Sequence, residues 1–525
     1  MLTLRLHIAL LCCLLFCRQA MAQKEENRLA VFIKDTGFSS LQLPYGKQVA
    51  AFYAAVGYRY CWLGTENNAR LQWLALAILH ADSLGLLPQD YQPGIFSGPP
   101  TPRFIKASQN DSLVAELRCT DAAIHFMHDV MAGNREEPLA FNGLQYVAAC
   151  DDIPRLLNSM LQTGAWKEMP AIIEPQTLAY LAVKKQLNYF LKITGRPFFR
   201  DAVVVSSRPD TGNHALVKRL YQLGCLPSDS APTPVLLKQQ LQQAQQMLSV
   251  LHDGVLRSTT LEVLNMPLAR RIEELSSALN ALRWLECINK QGPAIVVNIP
   301  SASLLLYQAD RVVLESRVIV GKKSTPTPTL ASTITEVVLY PYWNVPDNIA
   351  RKELLPLIKR SRAYLAMNNF QVLNRQGRVV DPAGINWRAM NATYFPYRLR
   401  QSAGCDNSLG LIKLNFYSPF DVYLHDTPWK ILFGFNKRYL SHGCMRLQKA
   451  KEAARFVLGN NTVAVDTISE ESCLKNQSPV RVPAGVAIPV LVVYHTAWAD
   501  SAGRVGFYED AYNRQTAASG RPMAR

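Results

Sequence analysis

The spacing of apolar residues divides the chain into a helical half and a strand-rich half. From 48 to about 194 the pattern is mainly helical. Leu71, Leu74, Leu76, Ile78 and Leu84 recur near helical spacing and stop at Gly85, with Pro88 just beyond. Residues 113–130 and 178–191 are further amphipathic stretches, and 95–103, with Gly98-Pro99-Pro100, reads as a loop. His125 and His128 lie three apart and could share a helix face, but two imidazoles do not make a metal site.

A smaller helical unit is expected at 206–266. Leu237, Leu241, Ala244 and Leu248 fall on one face, His252-Asp253-Gly254 marks a turn, and Thr259-Thr260-Leu261 starts a second helix. The glutamines between 239 and 246 could be low complexity, but the regular stripe beside them argues for a helix. Residues 267–290 read as a connecting helix.

From Ala294 the period changes. Residues 295–299, 303–307 and 312–320 are short, β-branched runs separated by turn residues, as in an antiparallel sheet. Residues 347–408 interrupt them with mixed, partly helical sequence, which suggests a cap. Strand patterns resume at 410–416, 422–424, 488–494 and 505–507, with a helix at 451–459. The fold class is multidomain α+β, the catalytic candidate lying in a mainly β domain at 291–515. The tail at 516–525 reads as disordered.

The ends and the charge narrow the setting. Arg5, an apolar run at 8–17 and Ala20-Met21-Ala22 resemble a secretory leader at 1–22, too short to span a bilayer comfortably. An exported product is expected, with at most peripheral membrane association. The remaining chain, roughly 500 residues, should hold two to four domains. The formal charge of +16 falls by two, to +14, without Arg5 and Arg18. A surface this basic suits an anionic partner. No basic patch with interleaved aromatics points to nucleic acid. Eleven cysteines, three of them in the leader, are too irregularly spaced to read as a disulfide framework.

The chemistry concentrates at Ser441-His442-Gly443-Cys444-Met445-Arg446. His425 lies nineteen positions before Cys444, in a strand-like run. A thiol is mostly protonated at neutral pH and needs a nearby base to attack. Gly443 allows a tight turn whose amides could meet an oxyanion. A small buried cysteine beside an unrelated histidine is the plainer alternative. A metal held by His425, His442 and Cys444 lacks an obvious fourth ligand.

With these residues laid out, the chain resembles an L,D-transpeptidase of the large three-part kind, the exported bacterial enzymes that cross-link peptidoglycan. The family signature, a His, a spacer, then Ser/Thr-His-Gly-Cys, an apolar residue and Arg or Asn, is met by His425 and 441–446. Tyr342-Trp343-Asn344-Val345-Pro346 and Gly410-Leu411-Ile412-Lys413 resemble family runs. So do Tyr423-Leu424-His425-Asp426-Thr427-Pro428 and Thr496-Ala497-Trp498. Residues 241–264 resemble a peptidoglycan-binding module, with Ala244 where Phe is typical and without the customary Gly before Asp253-Gly254. Phe52-Tyr53, Trp62 and Gly85-Leu86 to Pro88-Gln89-Asp90-Tyr91 resemble the helical scaffold domain, which is expected at 23–205. Ala403 and Cys405 depart from the pattern before Asn407.

The resemblance implies Cys444 as nucleophile and His425 as base. His442, Gly443 and Ser441 would support the turn and oxyanion hole. Arg446, Tyr423, Trp343 and Asn407 would meet substrate, although Arg446 could instead hold the loop by an ion pair. Stem peptides and glycan of the periplasmic wall are the implied partners, with no cofactor. A cysteine peptidase or amidase using water, or a catalytically idle wall-binding protein, would share many of these features.

Overall fold

The computed structural model describes residues 27–64, 67–91, 109–144, 152–196, 203–206, 213–230, 232–309, 311–404, 406–468 and 478–514. The leader, the loop at 95–103, Cys405 and the tail lie outside them. The chain is α+β and divides into two units. The first comprises Met1–Glu136, Val147–Ala202 and Pro267–Ile288. The second comprises Glu137–Tyr146, Val203–Met266 and Asn289–Arg525.

In the first unit the helical spacing becomes helices at Gly46–Ala55, Asn68–Leu79, Gln109–Ala132, Ile153–Thr163 and Leu178–Thr194. The stripe from Leu71 ends as its residues require, in a short 3₁₀ turn and then Gly85 at φ 71°. Phe52, Tyr53, Leu117, Phe126 and Leu157 are fully buried. Glu116 is buried too. Its carboxylate accepts from the amides of Cys61 (2.5 Å), Leu63 (2.8 Å) and Trp62 (3.2 Å) and from the Tyr53 hydroxyl (2.9 Å). The non-helical turn has no other use for those amides, and each would cost about 1–3 kcal/mol if left buried and unpaired. Burial pushes the Glu116 carboxyl up to about 7, against the pull of these donors.

Two boundaries differ from expectation. The helix Leu268–Asn289 is not a free connector. Leu275 and Leu279 are fully buried, and Arg283 donates to the Leu84 carbonyl (2.6 Å) and the Tyr180 hydroxyl (2.8 Å), tying it into the first unit. Residues 137–146 leave the scaffold, because Phe141–Asn142 adds a strand to the second unit. A two-residue strand has no period to read.

The second unit begins with the small helical module. Its helices span His214–Gln222, Pro234–Met247 and Ser258–Leu264. Gln245 is fully buried, accepts from Gly254 N (2.8 Å) and donates to Val255 O (2.9 Å) and Thr260 Oγ1 (3.2 Å). One amide on the second helix thus locks the turn and the third helix to it. Ala244 is fully buried, so the small side chain there is a core choice.

The catalytic candidate is built on strands. Phe141–Asn142 is β1, Ala294–Asn298 β2, Ser303–Gln308 β3, Arg311–Gly321 β4 and Leu330–Leu339 β5. Trp343–Asn344 is β6, Phe370–Leu373 β7, Val379–Val380 β8 and Arg398–Gln401 β9. Ile412–Phe416 is β10, Leu424–His425 β11, Tyr439–Ser441 β12 and Met445–Leu447 β13. Val480–Val493 is β14, Ala497–Ala499 β15 and Val505–Phe507 β16.

Strands β5, β10, β11, β13, β4, β3, β2 and β14 neighbour one another in that order, and β14 pairs back with β5. The ladder closes, which leaves few open edges. Alternation decides what faces the core. On β10, Ile412, Leu414 and Phe416 are buried inside while Lys413 and Asn415 face out. The helix Ala450–Leu458 covers the core with Ala450, Ala453, Ala454, Val457 and Leu458, a single helical stripe.

The sheet is mixed, not antiparallel as the sequence suggested. Strands β11 and β13 run parallel, as do β2 and β14. Between β11 and β13 the chain detours through β12, which pairs with β4, and so returns in the same direction. The cap also differs. It is a folded subdomain with its own sheet, ordered β6-β9-β7-β8, and its own core of Ile358, Val372, Trp387 and Leu399. Its first strand starts at Trp343, before the expected boundary at 347.

Candidate active site

The register of three short strands assembles the site. His425 on β11 pairs with Lys413 on β10 and with Arg446 on β13. Their neighbours Leu414, Leu424 and Met445 lie in the core. Since successive side chains alternate, Lys413, His425 and Arg446 share the opposite face. Tyr423 and Cys444 fall two positions before His425 and Arg446, just ahead of these strands, and are partly buried against the core.

Cys444 follows a turn that its own residues hold. Gly443 has φ 116°, a conformation L side chains rarely adopt, although a Cβ there would meet only ordinary contacts at 3.6 and 3.7 Å. Ser441 is buried. Its hydroxyl donates to the Cys444 carbonyl (2.5 Å) and accepts from the Gly443 amide (3.2 Å). Thr327 donates to the Gly443 carbonyl (2.8 Å). The Gly443 amide is therefore spent inside the turn, which removes one of the donors expected for an oxyanion.

The thiol is half-buried, and Sγ lies 3.9 Å from the Asp421 carbonyl. Burial pushes it above its ordinary range. Hydrogen bonds from the Tyr423 main chain and hydroxyl, and the charges of Lys413 and Arg446, pull it back. Cys61, Cys119 and Cys225 are buried free thiols, and Cys287 is disulfide-bonded.

His425 is 4% exposed, and its Nδ1 lies 2.6 Å from the Asp426 carbonyl. A carbonyl only accepts, so Nδ1 carries the proton and Nε2 keeps its lone pair. Burial, then the charges of Arg446 and Lys413, push the ring down to about 3. It is a neutral base across the physiological range. The Asp426 carboxylate accepts from Leu411 N (3.0 Å) and Lys430 Nζ (2.5 Å). Gly410, at φ 60°, packs so close to that carboxylate that a Cβ would collide with it. This clamp between the Gly410 turn and β11 was not singled out from the sequence.

The remaining candidates separate. The Arg446 guanidinium lies 5.3 Å from the Trp429 ring centre, and its buried Nε has no hydrogen-bond partner. No ion pair holds it among the described residues, so the loop-holding reading falls away. Tyr423 faces the thiol, with its ring 5.7 Å from His425. His442 Nε2 meets Glu353 of the cap (2.7 Å) and Lys322 (3.3 Å). The carboxylate needs a proton on that atom and the ammonium needs a lone pair, so the two contacts serve opposite states.

Trp343 belongs to the cap, 6.1 Å from Phe370. Asn407 is 1% exposed. Its amide donates to the carbonyls of Pro341 (3.1 Å) and Ser402 (2.9 Å) and accepts from Leu409 N (2.8 Å). Its expected place against substrate gives way to a structural one. Among the described residues no cluster of three or more His, Cys, Asp or Glu side chains is gathered for a metal.

Residues 292–480 match the family model of the L,D-transpeptidase catalytic domain, and this span contains both His425 and Cys444. The chain carries an L,D-transpeptidase catalytic domain. Residues 47–187 match the scaffold domain model. A putative L,D-transpeptidase of Haemophilus influenzae is 38% identical over 239 residues, 45% of this chain and 48% of the relative. The chain thus matches about half of that relative's length.

An L,D-transpeptidase from Mycobacterium smegmatis is 16% identical with a TM-score of 0.17, covering 38% of this chain and 58% of its own. L,D-transpeptidase 3 from Mycobacterium tuberculosis, in complex with a faropenem-derived adduct, is 15% identical with a TM-score of 0.19, covering 38% and 61%. Within the L,D-transpeptidase domain of this chain, the residue that motif reading left without a role is Lys413. Its position on an alternating strand was the available signal.

Proposed function

We propose that the chain is an L,D-transpeptidase that builds 3→3 cross-links in peptidoglycan. The observation that carries this reading is the pairing that sets His425 of β11, its Nδ1 held by the Asp426 carbonyl, beside β13, the strand that Cys444 leads into. Cys444 attacks the carbonyl after the third residue of a tetrapeptide stem. The S–C bond forms, the C–N bond breaks, and D-alanine leaves with the proton that His425 took from the thiol. An acceptor amine then attacks the thioester, gives its proton to His425, and the thiol is restored. The amides of His442 and Cys444 are the donors left in the turn for the oxyanion. The unpaired Arg446 guanidinium suits a stem carboxylate. An exported, periplasmic setting accords with this substrate. No helix among the described residues is long and apolar enough to cross a membrane.

Incubation with purified disaccharide-tetrapeptide tests the reading, with products identified by mass. A dimer lacking one D-alanine is expected. A tripeptide with no dimer would mark a hydrolase. Unchanged substrate would leave a wall-binding protein.

We further propose that the cap closes over this site. Arg351, Lys352, Lys359 and Arg360 give it a basic character suited to carboxylates. Its contact with the turn, Glu353 to His442, is half-exposed and easily broken. Hydrogen exchange should open 347–408 faster than 294–321 and slow when inhibitor binds. Equal, unchanging protection in both would count against closure.

A further inference from the structure

Lys413 is a half-buried cation with no carboxylate and no hydrogen-bond partner among the described residues. Its ammonium lies 3.9 Å from the Tyr423 ring centre, a cation–π distance. Tyr423 and Cys444 in turn pack, partly buried, against the same core, and Tyr423 acts to lower the thiol. Cross-strand pairing fixes Lys413 directly beside His425. The charge is thus held by rigid strands rather than by a loop. The acids near it are otherwise engaged or remote. Glu336 on β5 is bound by Arg481 of β14 (2.6 Å) and by Asn415 (2.8 Å), and Asp421 is exposed. The groups that act on the sulfur besides Lys413 are Tyr423, just before β11, and Arg446 of β13, and His425 of β11 lies between Lys413 and Arg446 in the ladder.

We propose that Lys413 is a positioning residue for the nucleophile: through Tyr423 it supplies a fixed positive charge that balances the Cys444 thiolate. The inference rests on the reading of Cys444 as nucleophile. During turnover the thiol proton passes to His425 Nε2, and in simple alkylation it passes to solvent base. In both cases the sulfur is left negative beside Lys413. Removal of its proton is correspondingly harder when the ammonium is gone. Burial lowers the Lys413 ammonium from its ordinary range, whereas the nearby sulfur acts to raise it, as a thiolate partner would.

The test is alkylation of Cys444 in the full chain by neutral iodoacetamide, followed on the Cys444 peptide by mass across pH 6–10. In Lys413→Met and Lys413→Gln the rate at pH 8 should fall about tenfold, the midpoint moving up by about one pH unit. Lys413→Arg should restore both. A merely structural lysine would lower the rate at every pH without moving the midpoint, and that result overturns the proposal. Slower reaction with anionic iodoacetate but not with iodoacetamide would also overturn it, making Lys413 a docking point for carboxylates. If Cys444 of the unsubstituted protein fails to react with either reagent, the nucleophile assignment itself is wrong. The two failures are therefore distinct.

Discussion

Replacing Cys444 with alanine or serine is expected to lower transpeptidation by roughly 10⁴–10⁶-fold, the scale seen when a covalent nucleophile is removed. The thiol is the group in the turn that can form the acyl intermediate. A serine hydroxyl would occupy the same place and feel the same Lys413 and Arg446 charges, but an alcohol is far harder to ionise than a thiol. The fold should survive. Sγ lies 3.9 Å from the Asp421 carbonyl and beside Tyr423, while Ser441, Thr327 and the positive φ of Gly443 hold the turn without it. A carbapenem offers a second readout, because its strained carbonyl should acylate the thiolate. Intact mass should rise by one drug in the wild type, on the Cys444 peptide, and not in either variant. Turnover by Cys444→Ser at the wild-type rate, or an adduct on a serine peptide, would remove Cys444 from the mechanism.

The parts of the fold that a local period can express were legible in the sequence. Ile412-Lys413-Leu414-Asn415-Phe416 alternates and is a strand, and Leu71 to Ile78 repeats and is a helix. The parts set by distant pairing were not. Strand β1 is two residues inside a helical stretch, and the parallel run of β11 beside β13 follows from a detour that no spacing records. The same division holds at the site. His425 and Cys444 stand out as residue types in a specific motif. That the Gly443 amide is spent on Ser441, or that Asn407 is consumed by its own loop, depends on three-dimensional hydrogen bonding. Lys413 lies between the two cases. Its outward position could be read from alternation, but its lack of an acidic partner could not.

His425→Ala should lose roughly 10²–10⁴-fold in acylation, the usual worth of a general base, while His442→Ala should lose much less. The two rings differ in what they can reach. His425 is buried on β11 and pairs with Arg446, two residues past Cys444; its Nδ1 is held by the Asp426 carbonyl, so in the neutral ring the proton sits on Nδ1 and Nε2 carries the lone pair. His442 turns toward Glu353 and Lys322, so its loss loosens the cap contact and the turn rather than the proton path. The pH dependence separates them further. His425 is pushed from an ordinary 6.5 to about 3, so the wild-type acylation rate should show no imidazole limb between about pH 5 and 8. The same shift has a consequence for stability, with a definite sign. The unfolded chain takes up this proton near 6.5 and the folded chain only near 3. The stability contributed is fully present above about pH 6.5 and is lost as pH falls toward 3. In His425→Ala that acid sensitivity should weaken, which equilibrium unfolding between about pH 4 and 7 would read. Single-turnover acylation of both variants over the same range decides the assignment. A well-folded but inactive His442→Ala beside a near-normal His425→Ala would reverse it.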